Sequence, residues 1–534
     1  MDIGRINLLI HTLKYLRFKQ IYYRLFYFVR NRFFDKTYEK PLQQPVAQLK
    51  WNDVFLYPIS FYGDGTFVFL NLSHTFSEGI DWNFSSYRKL WTYNLNYFDF
   101  LNQKEISKEE GLRLIKDFIA KKVVLKDARE PYPISLRGIN WIKFISKNGI
   151  TDPEINQFLF NDYIRLTHNL EYHLLGNHLL ENAFSLFFGA YYFQNETFYK
   201  KAKQILTEEL NEQVLEDGAH FELSPMYHQI ILHRLLDCVN LAQLNPWKDD
   251  EFLKFLKKKA LQMLSWLHAA TFSNGNIPMV NDSAYGIAPT SQQLFAYSKK
   301  LELEWEYSQL TDSGYRKFST NRYELFVDVG RVGPSYQPGH AHADTFNFEL
   351  YIDGKPIIVD TGITTYEKDE LRQQQRGTAA HNTVKIGDRN QSQVWGGFRV
   401  AKRAKIVSLK ENKNSLKATH DGYRDLGILH KRRFIAQDSQ ITIRDRLSNK
   451  TLHEHRAFLH FHPDIRSLDI DLDKNRLTLE ENDIHINFKG KIFTIQKENY
   501  EFATGFNETE EAIKISISFD LELNTQIVLL SENA

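Results

Sequence analysis

Phe346-Asn347-Phe348-Glu349-Leu350-Tyr351-Ile352, closed by Asp353-Gly354, is the stretch on which the fold turns. Its apolar residues fall at every second position, the period of a strand with one face in a core, and Asp-Gly is a tight-turn pair. Ile441-Thr442-Ile443-Arg444 and Ile513-Lys514-Ile515-Ser516-Ile517 repeat the pattern, with Gly387-Asp388 as a further turn. From Tyr323 onward the chain therefore reads as antiparallel β. Upstream the period is different. Apolar residues recur at three- and four-residue spacing over 111–124, 154–170, 174–193, 197–210, 225–244 and 250–270, which predicts helices. Short connectors such as Glu216-Asp217-Gly218 and Asn274-Gly275-Asn276-Ile277-Pro278 separate them, so consecutive helices should pack as neighbours in a layered or toroidal array. The division predicts a basic N-terminal segment over 1–50, a helical domain over 51–320 and a β domain over 321–534.

A chain of 534 residues is too long for one ordinary core, which agrees with that division. Aromatic residues make up 14% of it, with 27 Tyr and 40 Phe, enough both to fill helix interfaces and to line a sugar-binding groove. The formal net charge of +1 argues against a nucleic-acid partner. Charge is uneven, however. Arg5, Lys14, Arg17, Lys19, Arg24, Arg30 and Arg32 interleave with Leu8, Leu9, Ile10, Leu13, Leu16, Ile21, Leu25 and Phe28, the pattern of a basic amphipathic helix. Such a helix can pack on the body or lie on an anionic membrane surface, so residues 1–35 are a candidate peripheral membrane contact. No cleavable signal peptide is read there, and a cytoplasmic, membrane-associated location is the expectation. The single cysteine, Cys238, excludes an intrachain disulfide and suits a reducing compartment.

Chemistry-bearing residues gather in three places. In Gly176-Asn177-His178-Leu179-Leu180-Glu181-Asn182-Ala183-Phe184-Ser185 the polar residues fall on one stripe of an otherwise apolar helix, so they need partners inside the fold or in a cleft. In Asp217-Gly218-Ala219-His220-Phe221-Glu222-Leu223-Ser224-Pro225-Met226-Tyr227-His228, Ser224 reads as an N-cap and Pro225 as the first helical position. Tyr227 then sits in the first turn, where the helix dipole is expected to lower its pKa. In Gly339-His340-Ala341-His342-Ala343-Asp344 an extended backbone would put His340, His342 and Asp344 on one face. Asp360 and His381 lie nearby in sequence, and two histidines and a carboxylate from adjacent strands would make a zinc site; no organic cofactor is implied.

Taken together, and in this order, several segments resemble the heparinase II/III family of polysaccharide lyases. They are Trp91-Thr92-Tyr93-Asn94-Leu95-Asn96-Tyr97-Phe98-Asp99, Tyr132-Pro133-Ile134-Ser135-Leu136-Arg137 with Asn140-Trp141, Gly176-Asn177-His178, Ser224-Pro225-Met226-Tyr227, Gly339-His340-Ala341-His342-Ala343-Asp344 and Arg376-Gly377-Thr378-Ala379-Ala380-His381-Asn382-Thr383. The resemblance implies an incomplete (α/α) toroid followed by an antiparallel β-sandwich, with the active site between them. It implies β-elimination on an anionic, uronic-acid-containing polysaccharide, heparin-like or a bacterial capsular polymer. Asn177 or His178 would neutralise the substrate carboxylate, Tyr227 would move protons and His340 would act as base. By the same resemblance a structural zinc ion in the β domain would use His342, Asp360 and His381, with His381 left open between a metal ligand and a catalytic residue. Arg137 and Arg376 are candidate stabilisers of the enolate-like intermediate, and Glu181 a partner of His178 or of the substrate carboxylate. Two other readings stand beside the lyase: a non-catalytic carbohydrate-binding protein of a polysaccharide assembly system, and a toroidal glycoside hydrolase using Asp217 and Glu222.

Overall fold

The computed structural model describes residues 3–530 except 35, 53, 54, 56 and 249. Twelve α-helices follow in chain order among these: α1 Ile3–Leu13, α2 Phe18–Phe33, α3 Arg88–Tyr97, α4 Lys108–Ala120, α5 Pro131–Lys147, α6 Pro153–His168, α7 Gly176–Phe193, α8 Glu196–Gln213, α9 Pro225–Leu244, α10 Asp250–Ala270, α11 Ser291–Lys300 and α12 Glu370–Gln375. Helices α3 to α11 form the toroid. Their ends follow local rules: the side chains of Ser107, Asp152, Asn195, Ser224 and Thr290 each accept a backbone N–H in the first turn of the helix that follows. Ser224 and Pro225 occupy the N-cap and first position as the sequence predicts.

Helix α5 has no counterpart in the periodicity reading. Residues 133–145 are all buried, Ser135, Arg137, Asn140 and Lys143 included, so the polar residues of this helix do not mark a solvent face. The N-terminal segment forms two helices rather than one, with a turn over 14–17 between them. A short hairpin, Thr66–Phe69 against Leu72–Thr75, also lies within the helical half.

The β half is a sandwich. A four-stranded antiparallel sheet runs Tyr315–Ser319, Tyr323–Asp328, Phe348–Ile352, Lys355–Ile358 in spatial order. It packs on a ten-stranded sheet built round a long hairpin, Ile484–Gly505 against Glu508–Leu529. The first strand begins at Tyr315, so the β domain starts a few residues before the expected boundary at 320. Alternation assigns the faces. Leu325, Val327, Phe348 and Leu350 enter the sandwich core with Phe434, Ile443 and Ile515. Phe326 and Tyr351 point the other way, into a second cluster with Trp266, Ala270 and Phe272 from the toroid. Phe272 and Tyr351 stack with ring centroids 3.7 Å apart. This apolar seam fixes the toroid against the sandwich, and the polar loops at its edge make the site.

Candidate active site

Helix α7 begins on two residues of positive φ, Leu175 at 64° and Gly176 at 59°. A Cβ on Gly176 would lie 2.5 Å from Glu222 Oε1, so glycine is needed for the approach that follows. The Glu222 carboxylate accepts from the backbone N–H of Asn177 at 3.1 Å and from its Nδ2 at 2.9 and 3.2 Å. It thereby caps α7 and orients the Asn177 amide, whose Nδ2 comes 3.4 Å from His340 Nε2. Burial opposes ionisation of Glu222, but His340, His220 and Asn177 hold its pKa below the ordinary value.

His178 points to the partly exposed side of the same turn. Its Nδ1 is 3.1 Å from Glu171 Oε1, and its ring lies 4.8 Å from that of Tyr132. Burial works against its cation, yet Glu171 raises its pKa above the usual histidine value. Glu171 is held below its own usual value, against burial, by His178 and Asn182.

Tyr227, in the first turn of α9, stacks on His340 with centroids 3.8 Å apart and receives a hydrogen bond from Tyr366 Oη at 3.2 Å. The expected dipole effect does not prevail. Burial drives the phenol pKa upward, reinforced by Asp282 and Glu222, and the Tyr366 hydrogen bond only partly opposes it. Tyr227 is thus a neutral O–H donor.

His340 comes from an irregular loop, 338–346, rather than a strand, and the three residues expected on one face divide. His340 Nδ1 and His342 Nε2 both turn to Asp282, at 2.9 and 2.8 Å, while Asp344 does not join them. Asp282 is fully buried on the loop between α10 and α11 and is gripped by Arg372 at 2.5 and 2.6 Å. Burial would raise its pKa; Arg372 and the two histidines hold it well below the carboxylate range. A carboxylate only accepts, so His340 carries a proton on Nδ1, while its Nε2 faces Asn177 Nδ2 and lies 3.6 Å from Glu222 Oε2. Asn281 joins the loops by accepting from His342 N–H at 3.0 Å and donating to Leu223 O at 2.9 Å.

The structure therefore brings Asn177, His178, Tyr227 and His340 together, and adds Glu171, Glu222, Asp282, Tyr366 and Arg372. Three expected residues are not brought in. Arg137 is buried against Asp162, with Nη2 to Oδ2 at 2.6 Å. Arg376 is fully buried and donates to the carbonyls of Ala341, Gly396, Gly397 and Arg399; burial and Arg372 push its pKa down to about 9. Both guanidinia are committed to protein acceptors. Glu181 is not the partner of His178, a place taken by Glu171. It lies inside the toroid 3.5 Å from Arg234 Nε, and burial raises its pKa to about 7. Asn182 and Ser185, on the same stripe, bond Glu171 and Tyr163 within the fold.

The three expected zinc ligands, His342, Asp360 and His381, are each engaged on one side, while the His342 and His381 rings lie 5.3 Å apart and His342 Nδ1 and His381 Nε2 have no hydrogen-bond partner among the described residues. His342 Nε2 faces Asp282, whereas Asp360 Oδ2 accepts from Asn347 Nδ2 at 2.5 Å and lies 2.8 Å from His381 Nδ1. No group of three or more His, Cys, Asp or Glu side chains among the described residues is placed to hold a metal ion. His381 is fully buried, and its pKa is raised by Asp360 against burial, so it serves as the ion-pair partner of that carboxylate. Asp217, needed by a hydrolase pair, instead accepts from Thr311 N, Ser313 N and Ser313 Oγ.

A helical toroid facing an antiparallel sandwich, with amide, imidazole and phenol groups converging at their seam, defines a class of two-domain toroid–sandwich proteins. Two models of one family match most of the chain: heparinase II/III N-terminus over 134–293 and heparinase II/III-like, C-terminal over 303–530. The chain belongs to the heparinase II/III family. Among curated relatives, a heparin-sulfate lyase of Bacteroides stercoris is 25% identical over 281 residues, covering 47% of this chain and 42% of that protein. A heparin-sulfate lyase of Pedobacter heparinus is 27% identical over 278 residues, covering 46% and 41%. The matched stretch thus spans less than half the length of these relatives. Among solved structures, heparinase III superposes with a TM-score of 0.63 at 16% identity, covering 85% of this chain and 80% of that one. A chondroitinase AC lyase superposes with a TM-score of 0.53 at 10% identity, covering 89% and 79%. These likenesses establish the fold.

Proposed function

We propose that this protein is a polysaccharide lyase that cleaves a uronic-acid-containing, heparin-like polysaccharide by β-elimination. The observation that carries the reading is the stacked Tyr227–His340 pair, which sets a neutral phenol O–H beside an imidazole whose Nδ1 is held by Asp282 and whose Nε2 is turned toward Asn177. The C5 proton of a uronate is too weakly acidic to leave while the carboxylate keeps its full charge. Asn177 Nδ2 and protonated His178 flank the position where that carboxylate would sit and would stabilise the enolate-like state. His340 Nε2 takes the C5 proton, the C4–O bond breaks, and the Tyr227 O–H protonates the departing oxygen. A sugar with a 4,5 double bond remains. Asp282 fixes the His340 tautomer and Glu222 fixes the amide, so the groups are set before substrate arrives. The heparin-sulfate lyases among its relatives support the choice of polymer class.

The test is the ultraviolet absorbance of unsaturated uronate products, measured on heparosan, heparan sulfate, hyaluronan, chondroitin and alginate, with Tyr227→Phe as control. A rise on one polymer that falls at least about a hundredfold in the variant is expected. New reducing ends without that absorbance would instead mean hydrolysis, and binding without either product would mean a carbohydrate-binding protein.

A further inference from the structure

Helix α2 is mounted with its polar side inward. It docks through Gln20 and Arg30, which are 0% and 5% exposed, and through the hydroxyl of Tyr27. Gln20 Nε2 donates to Leu174 O at 3.2 Å, Tyr27 Oη to Leu170 O at 2.6 Å, and Arg30 to His168 O and Asn169 Oδ1. Tyr23 stacks on Tyr172 at 4.6 Å. The opposite face carries Phe18, Tyr22, Leu25, Val29 and Phe33, a stripe at helical spacing that is 81%, 50%, 63%, 40% and 70% exposed. Helix α1 continues it with Ile6, Ile10 and Leu13, all exposed. A surface helix ordinarily does the reverse, so this apolar face is built for something outside the fold.

Charge identifies the occupant. Residues 3–34 hold seven Lys and Arg and no acidic residue. Arg17, Arg24 and Arg30 contact the body, and Lys19 lies over the Tyr172 ring; Arg5, Lys14 and Arg32 are exposed. An apolar stripe edged only by cations matches the acyl and headgroup layers of an anionic bilayer. The 16 residues of α2 extend about 24 Å at 1.5 Å per residue, short of a bilayer core of about 30 Å. None of the described helices is long and apolar enough to cross a membrane. We propose that the α1–α2 segment is an interfacial anchor that lies flat in the surface of an anionic membrane.

The two helices also sit beside both domains. Arg17 pairs with Glu212 and lies 3.9 Å from the Tyr336 ring, Thr12 Oγ1 accepts from Trp395 Nε1 at 3.1 Å, and Arg403 lies 3.9 Å from the Tyr15 ring. Its docking partners at 168–174 lead directly into Asn177 and His178. Anchoring therefore brings the cleft close to the bilayer, where it would meet polymer at a membrane surface. The anchor stands whether or not the lyase reading does.

Full-length protein would be sedimented with vesicles of phosphatidylcholine alone and of phosphatidylcholine mixed with phosphatidylglycerol. Co-sedimentation with the anionic vesicles is expected, weakening as salt rises. Phe18→Ser/Leu25→Ser/Phe33→Ser and Arg5→Glu/Lys14→Glu/Arg32→Glu should each partition at least about tenfold more weakly. Both should keep the parent melting temperature, because these side chains face solvent. Absence of binding at low salt, or full binding by the serine variant, overturns the proposal. So does a dimer that the serine variant dissolves in a protein that binds no vesicles, since a second copy would then cover the face.

Discussion

Replacing Asp282 by Asn keeps the shape of the side chain and changes what it can accept. In the parent, Oδ2 takes the His340 Nδ1 proton and one Arg372 bond, while Oδ1 takes His342 Nε2 and the other. The amide offers one acceptor where there were two. If its NH2 replaces Oδ2, His340 Nδ1 must accept and the proton moves to Nε2, the atom assigned to receive the substrate proton. If it replaces Oδ1, His342 and Arg372 lose the bond. In either case the buried Arg372 cation loses its countercharge, for which loss of a buried ion-pair partner costs about 3–5 kcal/mol. A wrong tautomer in the base costs about 10^2 to 10^4 in turnover, by analogy with other carboxylate–histidine pairs. The assay is kcat on the polymer identified by product absorbance, set beside a thermal melt and substrate binding by calorimetry. The expected outcome is lost kcat with binding retained at a temperature where the variant is folded. A folded variant within about threefold of parent kcat would refute the argument that Asp282 sets the base, since an effect on tautomer cannot be that small.

Three further outcomes follow from other contacts. Gly176→Ala would strain a positive φ and drive a methyl into Glu222; kcat should fall at least about tenfold, and Gly176→Ala/Glu222→Ala should relieve the clash without restoring activity, as steady-state kinetics would record. His178 has a raised pKa and Glu171 a lowered one. The stability from His178 is full below its unfolded value near 6.5 and is lost as pH rises through its higher folded value, whereas that from Glu171 is lost as pH falls below about 4.5. The rate should decline as pH rises through the raised folded-state pKa of His178, and His178→Gln should remove that limb from a pH–rate profile. Asp445 is fully buried between Arg432 and His430, which hold its pKa at about 2 despite burial. Relative to an unfolded value near 3.9 this is about 2–3 kcal/mol, present above pH 4 and lost as pH falls through about 2; Asp445→Asn should flatten an acid-unfolding curve there.

The sequence disclosed those parts of the molecule that repeat with a period or follow local rules. The strand Phe348–Ile352, helices α6 to α10 and the Ser224-Pro225 helix start were legible because alternation, helical spacing and capping are local. Helix α5 was not, because its polar residues, Arg137, Asn140 and Lys143 among them, are buried along with the apolar ones. The site divided the same way. Asn177, His178, Tyr227 and His340 stand in short motifs and converge. Asp282 and Arg372 lie 90 residues apart and meet only when the toroid and sandwich close on each other. Arg137, Arg376 and Glu181 carried the right charge types, yet their environments, a carboxylate, four carbonyls and a buried interior, are properties of packing. The phenol of Tyr227 gives the clearest case: its place at a helix start was readable, but the burial that outweighs the dipole was not.

The strand Tyr323–Asp328 has a consequence for how the molecule comes apart. Leu325 and Val327 belong to the sandwich interior while Phe326 belongs to the cluster shared with the toroid, so one backbone segment serves two interiors. Melting either interior strips this strand of half its partners and exposes the face that the other needs. The two halves should therefore denature in a single cooperative step despite their different architectures, and cutting the chain between them should yield two pieces that aggregate rather than two stable domains.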